Sequence, residues 1–177
     1  MNAQAFAAAE LGWRDFFLAA AGASAALLGL LFVGVSINLA AIAVAERVDL
    51  RARAGQAFAN LIFVLVIALL MLIPEPDPGS IALGLAVVAG LGLVRVAQNL
   101  YPVARGRTGF RNWLQPVRRI GWTVIADLVL IFTAWRIWSS GDVAVIQNLV
   151  TVAFVLLVGA AEVSWQMLVE VSREQTS

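Results

Sequence analysis

The 177-residue chain contains no cysteine, no histidine and no lysine. Without cysteine it forms no disulfide and no thiolate metal site. Without histidine it lacks both the commonest general base and the commonest transition-metal ligand. All twelve basic residues are therefore arginine, which excludes a Schiff-base lysine and the pigments or aldol-type chemistry built on one. Charge is sparse as well, at 13% of residues. A soluble domain of this size carries about twice that share.

What is present is apolar. Hydrophobic residues make up 62% of the chain and the mean hydropathy is +0.90, values that belong to a polytopic membrane protein. Five runs are long enough to cross a hydrocarbon core of about 30 Å. They cover 16–45, 57–73, 81–101, 120–138 and 143–169. These spans and their short links use up nearly the whole length, so 1–177 is read as one membrane domain, an all-α bundle of five transmembrane helices. The first run has no basic segment before it and exceeds a signal-peptide core in length, so it is read as an uncleaved span.

The links alternate in charge. Arg47, Arg51 and Arg53 follow the first span, and Arg105, Arg107, Arg111, Arg118 and Arg119 crowd the third link. The other two links hold Glu75, Asp77 and Asp142 without any arginine. Basic loops stay on the cytoplasmic side, so the N-terminus is expected outside and the C-terminus in the cytoplasm. The third link interleaves Phe110, Trp113, Leu114 and Val117 with arginines, which suits a segment lying in the interface and touching anionic lipid. Topology alone accounts for the arginine excess, and no nucleic-acid-binding module is recognisable. The connector with Pro74, Pro76 and Pro78 reads as a stiff turn rather than an acidic lip.

Two helical faces stand out. In the first span Gly22, Ala26, Gly29, Ser36 and Ala40 share one face, a seam that lets helix backbones approach closely. Packing inside the subunit is the favoured use of that seam and packing against another chain is the other; the protein is expected to assemble as a homo-oligomer through a small-residue face. Ser24 beside it has no histidine to activate it and is read as a packing residue rather than a nucleophile. In the fifth span Asn148, Thr151, Val155, Gly159, Glu162 and Gln166 line one stripe at about 100° per residue, expected to point into the bundle or toward a pore. An interhelical hydrogen-bond ladder is the plainer reading of the same stripe.

Ionisable residues inside three spans complete the pattern. At about 1.5 Å per residue, Arg95, Asp127, Glu162 and Asn38 lie some 9–10 Å from the cytoplasmic ends of their spans and are expected to form one layer. Asn60, Gln98 and Asn99 are expected nearer the cytoplasm. A charge at that depth costs from about 2.5 to over 10 kcal/mol, so Arg95 and Asp127 should meet. Two carboxylates against one arginine leave a net negative charge that a proton or cation would complete, with Glu162 as the candidate carrier. No cofactor or metal is expected.

The stretch GASAALLGLLFVGVSIN at 22–38, with Arg53, Ala54, Leu72, Ile73 and Pro74 downstream, resembles a group of small bacterial membrane proteins that includes modulators of the FtsH protease. The resemblance covers roughly the first 40% of the chain and implies a regulatory partner. Two functions follow as expectations. One is an oligomeric cation or proton channel using the polar layer; the other is a non-catalytic regulatory or assembly partner of a membrane complex.

Overall fold

The computed structural model describes residues 3–37, 48–74, 77–104, 114–140 and 143–174. Asn38, Ala40, Arg105, Arg107 and Arg111 lie outside the described residues, as do the side chains of Asn99, Arg118, Arg119 and Gln166. Among the described residues there are five long helices and no strand. They are α1 (Ala3–Ile37), α2 (Val48–Leu70), α3 (Pro78–Ala104), α4 (Leu114–Ser140) and α5 (Ile146–Glu174), the last preceded by a 3-10 turn, Val143–Val145.

Each helix holds a segment long and apolar enough to cross a membrane: Leu11–Ile37, Arg53–Leu70, Pro78–Gln98, Thr123–Ser140 and Ile146–Trp165. The architecture is that of a multi-pass membrane protein. The helices outrun the apolar runs because arginine, glutamine and alanine sustain a helix beyond the hydrocarbon as well as within it. Thus α2 starts nine residues before Ala57, and α4 starts six residues before Ile120.

The turn between α2 and α3 is built by capping. Pro74 cannot extend α2, and the Asp77 carboxylate accepts a hydrogen bond from the Ser80 amide at 3.0 Å. Ile81 N donates to Asp77 O at 3.1 Å, so the first helical bond of α3 closes directly behind that cap. Pro78 takes the first helical position, where its missing N–H costs nothing. The Asp77 carboxylate therefore works as a helix cap, in keeping with the reading of this connector as a turn.

The helices pack in the order α1, α2, α5, α4, α3, with α3 closing more thinly on α2. Phe17, Val64, Ile67, Met71, Ile81, Leu85, Leu130, Ile137, Ile146 and Leu149 form the fully buried centre. In lipid these side chains gain little from leaving an apolar solvent, so close packing holds them together rather than hydrophobic burial. Only 17% of the spanning segment of α1 is buried, against 33 to 39% in the other four, which makes α1 the peripheral helix.

Two expectations about faces change. The seam Gly22, Ala26, Gly29 and Ser36 points away from the rest of the subunit, with every one of these residues exposed. A Cβ at Gly22 or Gly29 would meet nothing within 4 Å. Packing inside the subunit uses the opposite stripe, Phe17, Ala20, Ala21 and Ser24, all buried. The reason is that α1 has two small-residue faces, and only this one also carries a ring, Phe17, large enough to fill the space beside α2. Phe16 extends the contact to Phe154 of α5, with ring centroids 5.7 Å apart.

The polar stripe of α5 also lies off the core. Leu149, Val152, Ala153, Leu156 and Ala160 occupy the buried face. Thr151 and Glu162 are exposed, while Asn148, Val155 and Gly159 are half-buried along the flank. The apolar face wins because it offers continuous large side chains to α2 and α4, whereas the polar stripe alternates large and small.

Candidate functional site

The site starts from a glycine. A Cβ on Gly92 in α3 would fall against the carboxylate of Asp127 in α4, so the missing side chain is what allows this carboxyl group to lie on the α3 backbone. Asp127 is 3% exposed, and its Oδ2 has no hydrogen-bond partner. One turn along α3, Arg95 donates from Nη2 to the carbonyl of Gly55 in α2 at 2.6 Å. A helix carbonyl ordinarily accepts within its own helix, so this bond draws α3 onto the first turns of α2.

Gln56, Phe63, Gly92, Arg95, Val96, Thr123 and Asp127 together line a small cleft between α2, α3 and α4, about 20 Å³ in volume. That volume suffices for a water molecule. The Arg95 charge acts on Asp127 across it.

Arg95 and Asp127 are thus brought together. Asn60 sits at the level of this cleft, between Gln56 and Phe63 on α2, and not nearer the helix end as its place in the apolar run suggested. The difference arises because α2 begins at Val48. Its side chain is 4% exposed and turns the other way, toward α5, where a Cβ on Gly159 would lie 3.7 Å from Nδ2. Gln98 is exposed. Glu162 is exposed on α5 and does not line the cleft, so the structure separates it from the Arg95 and Asp127 pair.

Sequence reasoning missed Gln56, Gly92 and Thr123. Thr123 was within reach of it, since it precedes Asp127 by one helical turn and shares its face. Gly92 precedes Arg95 by three residues, but nothing in the sequence distinguishes it from Gly90, whose Cβ would meet only open space.

Beyond the cleft, toward the end marked by Met71, Ile81, Ile137 and Ile146, the fully buried side chains are apolar except for two hydroxyls, and half-buried Arg136 brings its Nε into the same end. Thr133 Oγ1 donates to Val129 O of its own helix at 2.8 Å, and Ser24 Oγ is buried on α1. No family model, curated protein or solved structure matches this chain.

Proposed function

We propose that this is a non-enzymatic protein of a bacterial inner membrane, N-terminus outside and C-terminus cytoplasmic, that acts as a regulatory or assembly partner of another membrane complex. The supporting observation is the small-residue face of α1, which is turned outward with Gly22, Ala26, Gly29 and Ser36 all exposed. In lipid, a face of glycine, alanine and serine is where a second helix packs most closely. The resemblance of the first span makes a membrane-bound protease the partner class to test first.

The double variant Gly22→Leu/Gly29→Leu tests this reading. Both side chains enter open space in the isolated subunit, so its unfolding should match wild type. Co-reconstituted with an FtsH-type protease in nanodiscs, wild type should change the rate of substrate turnover, and the double variant should lose at least about tenfold in affinity for the complex. A wild type without effect on turnover and without binding would refute the proposed partner class.

A second reading rests on the exposed flank of α5. In a homo-oligomer, Asn148, Thr151 and Glu162 from several copies would face one another and provide a cation or proton route between subunits. Wild type would then conduct in proteoliposomes, and Glu162→Gln would abolish or strongly alter the flux while preserving assembly. Flux unchanged by Glu162→Gln removes Glu162 from that route.

Orientation has its own test. A reporter fused after Ser177 should read cytoplasmic and one fused before Met1 external, because the arginine-bearing links all fall on one side. Both termini on one side would contradict a five-span topology.

A further inference from the structure

We infer that the cleft between α2, α3 and α4 is a proton-binding site, in which Asp127 exchanges a proton with the nearer membrane surface through one water held by Arg95, Thr123 and Gln56. Three observations converge on it. The first is the Asp127 carboxyl, buried to 3% exposure with Oδ2 lacking any protein donor. Buried polar atoms of this kind are hydrated or protonated in nearly every folded protein, because a bare oxygen in the interior forfeits its full solvation.

The second is volume. About 20 Å³ exceeds the minimum for one water, and the lining supplies the two to four polar partners that a buried water needs. The third is the guanidinium. Its five donors let Arg95 hold the Gly55 carbonyl and still direct a donor into the cleft, so it orients a water or a carboxylate without leaving its backbone anchor.

The charged groups around Asp127 are few. Arg95 faces it from α3; from α2 the lining residues are the neutral Gln56 and Phe63, and from α4 itself the neutral Thr123. α5 contributes no residue to the lining, and Glu162 is exposed. The step is a simple transfer: a proton passes from the water to a carboxylate oxygen of Asp127, forming the neutral acid, and the water recovers a proton from the bulk. Arg95 keeps its charge throughout and acts as a positioning residue.

Infrared spectroscopy of the full chain in lipid nanodiscs, titrated with pH, tests this directly. Wild type should show a protonated-carboxyl band that appears as pH falls and is lost in Asp127→Asn. In D2O the band should shift without delay. In Thr123→Val/Gln56→Leu it should persist but exchange about tenfold more slowly, the equivalent of one hydrogen bond lost from the bridging water. A titration identical in wild type and Asp127→Asn, or an Asp127 carboxyl that stays ionised at every pH at which the protein remains folded, overturns the proposal. So does a band whose exchange is equally fast in the Thr123→Val/Gln56→Leu variant, since a merely structural pair has no need of the lining.

Discussion

Asp127→Asn should destabilise the protein by about 3–5 kcal/mol, and adding Arg95→Gln should restore most of that loss. Removing one partner of a buried pair leaves the other charge uncompensated, whereas removing both removes the desolvation cost as well. Here the orphan would be Arg95, half-buried between α2 and α3. Recovery should be incomplete, because Arg95 also satisfies the Gly55 carbonyl, and a bond of that kind to a charged donor contributes about 1.5–3 kcal/mol. Reversible unfolding in bicelles of the two single variants and the double variant gives the coupling. Additive losses would mean that the two residues do not act on each other.

Gly92→Ala should cost about 1–3 kcal/mol, against the usual trend for glycine inside a helix. Alanine is normally favoured over glycine there by about 1 kcal/mol. At Gly92 the added methyl meets the Asp127 carboxylate, so either the carboxylate moves or α3 and α4 separate, and overpacking dominates. Gly90→Ala, two residues away and in open space, is the control and should be neutral or stabilising. The same unfolding measurement separates them; equal effects at both positions would show that Gly92 is not a contact point. Gly92→Ala should also alter the pH response of the Asp127 carboxyl band, since it changes where that group sits.

The five spans were legible because hydropathy over about twenty residues is a strong signal that tertiary packing in a membrane seldom overrides. Their ends were less so. α2 is helical from Val48 through Arg51 and Arg53, since backbone hydrogen bonds and not the hydrocarbon sustain a helix. Depth counting brought Arg95 and Asp127 to one level, and geometry places them on one cleft. It placed Glu162 at that level too, but depth carries no information about azimuth, and Glu162 faces outward from α5.

Azimuth was the weak point on α1 as well. Gly22, Ala26, Gly29 and Ser36 and the stripe of Ala20, Ala21 and Ser24 are both runs of small residues at helical spacing, on nearly opposite sides of one helix. Only the position of Phe17 separates them, and a single aromatic gives no sign in the sequence of which neighbour receives it. The residues missed at the cleft, Gln56 and Gly92, belong to helices whose mutual register is set by the Arg95 to Gly55 bond, a contact forty residues apart in the chain.

Cross-linking through single cysteines along α1 in native membranes addresses the outward face most directly, and a chain without cysteine gives no background. Cysteine at Gly22, Ala26, Gly29 and Ser36 should cross-link to a second polypeptide in high yield, with a three-to-four-residue period. Cysteine at the exposed flanking positions Leu30 and Phe32, or at the buried positions Ala20 and Ala21, should not. Cross-linking that is absent from the seam, or equal all around the helix, would contradict a partner seated on this face.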